Sequence, residues 1–137
     1  MSKGKDLANM IGDNEGVKLL MEKDKSMNQL QTEVDQYISQ FKEGYFSPLA
    51  MVARLSEELG ELAREVNHYH GEKPKKSSEE ESTIEEELGD LLFVVICLAN
   101  SLDISLEDAH NRVMHKFNTR DKDRWTRIEG GDEDGSN

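Results

Sequence analysis

A short acidic motif occurs twice in this chain, as EELGEL at 57–62 and as EELGDL at 86–91. Each copy places a glycine among carboxylates, inside a stretch whose apolar residues recur at helical spacing. A glycine in a helix interior costs about 1 kcal/mol relative to alanine, and carboxylates three or four positions apart on a helix repel each other. The repeated motif therefore predicts two helices that carry matched acidic edges.

The first two helices are predicted from their apolar pattern and their ends. The first is expected to end at Gly44, since glycine commonly follows a helix. The second is expected to start at Ser47 and Pro48, because serine is favoured as the N-cap and proline at the first helical position, and to run to about Asn67. Their apolar positions are Leu30, Val34, Tyr37, Ile38 and Phe41, then Val52, Leu55, Leu59, Leu62 and Val66.

Two more helices follow a polar loop at 70–81. The spacing of Ser82 and Glu85 is that of a capping box, which predicts the start of the third helix, and the pattern continues to about Ser101. Ser105 and Asp108 predict the start of the fourth helix in the same way. No run alternates at period two, so we expect an all-α, four-helix bundle-like domain over residues 27–127. A weakly ordered extension at 1–26 and an acidic, disordered tail at 128–137 are expected to flank it.

The third helix is apolar on nearly every side between Leu91 and Ala99, which is the pattern of a buried helix. Apolar residues make up only 35% of the chain, so a lone subunit has little else with which to surround it. We therefore expect the chain to associate with further copies of itself.

Charge and hydrophobicity exclude several classes of protein. A net charge of −12 argues against a nucleic-acid partner, which requires a basic surface. The apolar run at 91–99 is far shorter than the ~20 residues that span a bilayer, and the first residues do not form a signal segment. The single cysteine, Cys97, cannot form an intrachain disulfide. We expect a soluble, cytoplasmic protein without a membrane partner.

The acids within each motif are spaced as pairs. Glu58 and Glu61 are three apart, as are Glu87 and Asp90, so the members of each pair project from neighbouring faces of their helix. If the two helices pack side by side, four carboxylates meet. A hard cation with oxygen ligands relieves the resulting repulsion, so the pattern predicts a metal site.

Several alternatives remain open for the acidic residues. Solvated helix faces are the common explanation for glutamate-rich helices. The glycines of the motif indicate places where another helix or a ligand approaches the backbone closely. Glu57 and Glu86 point away from the pairs and could lie on the surface, support a ligand from behind or take part in catalysis.

Cations concentrate at the end of the fourth helix, in HKFNTRDKDRW at 115–125. Lys116 and Arg120 share a helix face, and Arg124 follows if the helix continues. Such cations also interact favourably with a helix C-terminus, so the pattern by itself does not require a ligand. Trp125 could stack on a base, although capping the core is the more common role.

The two acidic motifs together resemble the EExxE…ExxD signature of the MazG-like nucleotide pyrophosphohydrolases, a family of all-α enzymes. The similarity extends over about residues 27–127 and includes KFNTR at 116–120. The resemblance implies that Mg²⁺, with Mn²⁺ as a substitute, is bound by Glu58, Glu61, Glu87 and Asp90. It further implies a functional role for Glu57 and contact of Lys116 and Arg120 with substrate phosphate. Assembly as a homodimer or a homotetramer is also implied by the resemblance.

The sequence hypothesis is a magnesium-dependent nucleoside triphosphate pyrophosphohydrolase that releases a monophosphate and pyrophosphate. Glu57 or Glu61 would orient or deprotonate the water, and Lys116, Arg120 and Arg124 would bind the substrate. The alternatives are a phosphoribosyl-ATP pyrophosphohydrolase and a helical oligomerisation or regulatory module without activity.

Overall fold

The computed structural model describes residues 24–71 and 83–128, and these contain helices and no strand. The helices are α1 (Met27–Ile38), α2 (Pro48–His70), α3 (Ile84–Ser101) and α4 (Leu106–Thr119). The predicted all-α fold with four helices is confirmed. Nearly all of the predicted N-terminal extension and C-terminal tail lies outside the described residues.

The chain divides into two compact units, one ending at Leu106 and the other beginning at Glu107. The first unit holds α1, α2 and α3, and therefore both acidic motifs. The second unit holds nearly all of α4 and the basic segment that follows it.

Two predicted helix boundaries are wrong. Helix α1 ends at Ile38, well before Gly44, because the amides of Gln40 and Phe41 bond to carbonyls three residues back instead of four. Helix α3 is capped one residue later than expected. The Thr83 hydroxyl accepts from the Glu86 amide and the Glu86 carboxylate accepts from the Thr83 amide, so the capping box is Thr83–Glu86. Helix α2 begins at Pro48 as predicted and extends one turn beyond Asn67.

Helix α3 packs against both α1 and α2. Gln31 contacts Asn100 and Tyr37 contacts Phe93, so the order along α1 is reversed along α3 and the two helices are antiparallel. The buried apolar residues of the described chain lie mainly on α3, as its composition predicts. They are Met51, Val94, Ile96, Cys97 and Ala99.

Part of the apolar stripe of α2 does not face this core. The buried edge of the helix follows Met51, Glu58 and Glu65, which are spaced by seven and therefore align along one side. The stripe beside it leaves Val52, Leu59 and Val66 exposed, and on α3 Leu88 and Leu92 are exposed as well. Among the described residues no single helix is long and apolar enough to cross a membrane; α3 and α4 reach that length and composition only when counted together.

Candidate functional site

Three carboxylates from the two acidic motifs meet where α2 packs on α3. Glu58, Glu87 and Asp90 each offer one oxygen, and these oxygens all lie within 4.8 Å of one another. Glu87 is buried, Glu58 is half-buried and Asp90 is exposed, so the group opens to solvent on one side. Such a set of oxygen donors is the kind that holds a hard divalent cation.

Local structure explains how these side chains come together. Glu58 lies on the buried edge of α2, one turn after Arg54 and two turns before the next buried residue of that edge, Glu65. The Thr83–Glu86 capping box fixes the start of α3, and Glu87 follows directly in its first turn. Negative charge is favourable at a helix N-terminus, so the backbone of α3 offsets part of the repulsion within the cluster.

The cluster changes the acidity of Glu58. Burial, followed by the negative charge of Asp90, raises the pKa of the Glu58 carboxyl above its ordinary value, while the guanidinium of Arg54 opposes that rise. Without a cation, the packed state therefore disfavours the ionised form of Glu58. A bound cation would favour that ionised form.

Two of the other motif acids have partners of their own. Glu61, one turn along α2 from Glu58, is not part of the three-carboxylate group and forms an ion pair with Arg64. Glu86 accepts in the capping box of α3, which gives it a structural role. Glu57 lies exposed on α2.

The motif glycines have open space beside them in the described chain. A Cβ placed on Gly60 or Gly89 would have nothing within 4 Å. Close approach of α2 to α3 is therefore not the reason for either glycine, and that part of the interpretation is wrong. A ligand or a second copy of the chain remains as the expected neighbour.

An aromatic cavity lies next to the cluster and was not found by sequence reasoning. It has a volume of about 300 Å³ and lies among α1, the segment at 41–46, α2 and α3. Its wall includes Tyr37, whose ring meets those of Phe41 and Phe93 edge-on at centroid distances of 5.3 Å and 6.1 Å. The sequence held one indication of this cavity, the cation Arg54 one helical turn before Glu58. In the structure, Arg54 lines the cavity.

A hydrogen-bond network fixes the segment that closes the cavity. The Tyr45 hydroxyl donates to Asp35 at 2.8 Å and accepts from the Asn100 amide at 3.0 Å. Burial, and then the Asp35 carboxylate, raise the pKa of Tyr45 to about 12 against the opposing effect of Asn100, so the hydroxyl keeps its proton. Gln31 donates to Asn100 at 2.9 Å and accepts from the Leu106 amide at 2.9 Å, which extends the network to the start of α4.

A second buried polar pair lies on the same edge of α2. The side chains of Glu65 and His68 are both buried, with 3.9 Å between the Glu65 Oε1 and the His68 Nδ1. His70, two positions further along, points to a different side of the helix and is exposed. Nothing in the glutamate-rich sequence of α2 distinguishes Glu65 from the other glutamates of the same helix.

The basic residues belong to the second unit. Lys116 Nζ lies 5.1 Å from the centroid of the Phe117 ring, and Arg120 pairs with Asp121 at 3.3 Å. Helix α4 ends at Thr119, so Arg124 lies beyond it, with its guanidinium 5.4 Å from the centroid of the Trp125 ring. Trp125 is 78% exposed, so the prediction that it caps the core is wrong.

These features define a class of protein: a helical domain in which two packed helices, α2 and α3, present a carboxylate cluster beside a ligand-sized cavity. A model of the MazG nucleotide pyrophosphohydrolase domain matches residues 46–125. The chain belongs to this family.

Two Bacillus subtilis proteins and two crystal structures are similar to this chain. The chain is 76% identical to the Bacillus subtilis protein YpjD over 108 residues, which are 79% of this chain and 97% of that protein. It is 33% identical to YvdC of the same organism over 81 residues, 55% of this chain and 76% of the relative. A crystal structure described as the Bacillus-conserved MazG protein, a nucleotide pyrophosphohydrolase, has 68% identity and a TM-score of 0.63, covering 75% of this chain and 100% of the other. The crystal structure of YPJD from Bacillus subtilis has 73% identity and a TM-score of 0.65, covering 72% and 100%.

Proposed function

We propose that the chain is a magnesium-dependent nucleoside triphosphate pyrophosphohydrolase that converts a nucleoside triphosphate or its deoxy form to the monophosphate and pyrophosphate. The observation that supports this most is the meeting of Glu58, Glu87 and Asp90 within 4.8 Å. Membership of the family and the nucleotide pyrophosphohydrolase among the similar structures support the same reaction.

The cluster fits Mg²⁺, with Mn²⁺ as a substitute, because its donors are all hard carboxylate oxygens and one of them has a raised pKa that a cation would relieve. Glu58, Glu87 and Asp90 would bind the ion, and Glu61 would join them after leaving Arg64. When bound, the ion polarises phosphoryl oxygens and lowers the pKa of a coordinated water.

The remaining residues have proposed roles in the attack on the α-phosphorus. Glu61 or Glu57 accepts the proton of the attacking water, whose oxygen forms the new bond to phosphorus. The bond between the α-phosphorus and the bridging oxygen breaks, and pyrophosphate leaves with that oxygen. Lys116, Arg120 and Arg124 bind the substrate phosphates and stabilise the charge that develops on the leaving group.

A panel of nucleoside triphosphates in H₂¹⁸O tests this function. We expect pyrophosphate as product, the label in the monophosphate, loss of activity in EDTA and its recovery with Mg²⁺ or Mn²⁺. Label in pyrophosphate, release of orthophosphate, or full activity in excess chelator would contradict the proposal. Turnover of phosphoribosyl-ATP alone would assign the alternative substrate, and no turnover of any member would favour the non-enzymatic module.

A further inference from the structure

Arg54 is the cation that connects the aromatic cavity with the carboxylate cluster in the first unit. Its guanidinium lies 3.9 Å from Glu58 Oε1, which is an ion-pair distance but is too long for a good hydrogen bond. It also lines the cavity, and its charge acts on Cys97 in the cavity wall by opposing the rise that burial causes in the pKa of that thiol. Its side chain is 52% exposed, so a ligand can reach it.

The place of Arg54 matters because of the shape of a nucleotide. A nucleoside triphosphate has a flat apolar base at one end and a chain of phosphates at the other, and the α-phosphate joins the two parts. If the phosphates reach a cation at Glu58 and Asp90, and the nucleoside enters the aromatic cavity next to them, the α-phosphate lies between the two sites. Arg54 occupies that position.

We propose that Arg54 is a substrate-binding residue that contacts a non-bridging oxygen of the α-phosphate, with the nucleoside in the cavity walled by Tyr37, Phe41 and Phe93. This inference rests on the proposed function and names the part of the substrate that this side chain recognises. A guanidinium suits the role because its planar donors bind phosphate oxygens in pairs. A cation at the cluster would take over the neutralisation of Glu58 and leave Arg54 available to the nucleotide.

The monophosphate and pyrophosphate products separate this role from a purely structural one. The monophosphate keeps the α-phosphate and the nucleoside, whereas pyrophosphate has neither. In Arg54→Gln we expect the KM for the triphosphate and the dissociation constant of the monophosphate to rise about 10- to 100-fold, the usual scale for losing a hydrogen bond to a charged group. Inhibition by pyrophosphate and the Mg²⁺ concentration that gives half-maximal activity should stay within about twofold of wild type.

Two further variants complete the experiment. Arg54→Lys keeps the charge and loses the paired donors, so it should recover part of the monophosphate affinity. Lys42→Gln removes the same charge from an exposed site that does not line the cavity, and it should bind monophosphate as wild type does. Calorimetry with the monophosphate provides the binding constants without turnover, and circular dichroism checks that each variant is folded.

The outcomes are distinct. If the wild-type chain hydrolyses triphosphates while Arg54→Gln binds monophosphate normally and needs a changed Mg²⁺ concentration, Arg54 only neutralises Glu58 and the inference alone fails. If the wild-type chain hydrolyses no triphosphate, the proposed function is wrong, and the inference about Arg54, which rests on it, is wrong as well. If Arg54→Gln does not fold, normal monophosphate affinity in Arg54→Lys would overturn the paired contact.

Discussion

Substitution of Asp90 distinguishes the two possible roles of the cluster acids, metal ligand and solvated acid, more clearly than substitution of any other cluster residue. It is the exposed member of the cluster, so its substitution disturbs packing little. Asp90→Asn removes one negative charge, and we expect turnover to fall about 100-fold, the scale seen when one preorganised electrostatic group is lost. The stability of the metal-free protein should hold or rise because repulsion with Glu58 is relieved. Steady-state kinetics and urea unfolding in EDTA measure the two effects.

Glu85→Gln provides the matched control, since Glu85 is an exposed acid in the first turn of the same helix. It should leave turnover within about twofold and shift the free energy of unfolding by less than about 0.5 kcal/mol. Glu61→Gln should lower turnover as Asp90→Asn does if Glu61 joins the metal. Normal turnover in Asp90→Asn would remove that residue from the site.

The raised pKa of Glu58 predicts a dependence of stability on pH. A carboxyl whose pKa is higher in the folded state stabilises the fold fully below its ordinary pKa, and this contribution is lost as pH rises through the folded pKa. In EDTA, Glu58→Gln should therefore be more stable than wild type at pH 7, and its advantage should shrink as the pH falls toward 4.5, the ordinary value of the group. Urea unfolding of both proteins across this range measures it, and an advantage independent of pH would contradict the assigned cause.

The spacing of the acids predicted part of the cluster and could not predict the rest. An i,i+3 spacing fixes the angle between Glu58 and Glu61 on their own helix. It does not fix how α2 is rotated toward α3, and that rotation turns Glu58 inward while Glu61 pairs with Arg64. Arg54 was missed for a related reason, because the cavity that it lines is built from three helices and a turn.

The helix ends show the same limit at the scale of an element. The pattern of apolar residues predicted all four helices, but the choice between Ser82 and Thr83 as the cap of α3 depends on which hydroxyl reaches the backbone amide three residues later. In α1, the Gln40 and Phe41 amides bond to carbonyls three residues back, and the chain turns before the predicted end. Such local competition is decided by a few hydrogen bonds of similar strength.

The last turn of α4 carries the proposed phosphate contact through Lys116. Lys116→Ala should raise the KM for the triphosphate about tenfold, as expected when a charged contact is lost, and should leave Mg²⁺ binding without nucleotide unchanged. It should also weaken inhibition by pyrophosphate, in contrast to the Arg54 variants. Product-inhibition kinetics and Mg²⁺ titration by thermal melting provide the measurements.

Lys122→Ala is the control for that experiment, because Lys122 is an exposed cation beyond the end of α4. It should leave the inhibition constants of pyrophosphate and of the monophosphate unchanged. A Lys116 variant with a normal KM would show that this cation serves only the C-terminus of its helix.

For the molecule as a whole, the exposed stripe of Val52, Leu59 and Val66 on α2 supports the expected self-association. An apolar stripe of this kind costs free energy in water unless another surface covers it, and a second copy of the chain carries the same stripe. We expect sedimentation at micromolar concentration to show a dimer or a tetramer. Leu59→Lys should shift the chain toward monomer, because a charge at the middle of the stripe must be desolvated to associate.

Leu49→Lys is the matched control, since Leu49 is an exposed leucine on α2 outside the stripe. It should sediment as wild type does. An active wild-type monomer at micromolar concentration would contradict the expected assembly. The sequence indicated this assembly through the small apolar fraction of the chain. It could not show that α2 takes part, because a periodic pattern shows that a face is apolar without showing which surface covers it.

The lone cysteine gives this protein a built-in optical reporter. Cys97 is a buried free thiol in the wall of the aromatic cavity, and burial raises its pKa, so little thiolate is present at neutral pH and modification by a chromogenic disulfide should be slow. A molecule that fills the cavity should slow the reaction further, while opening of the helices should expose the thiol. The rate of thiol labelling thus reports ligand occupancy and transient opening of the cavity in the native sequence, without an added dye or tag.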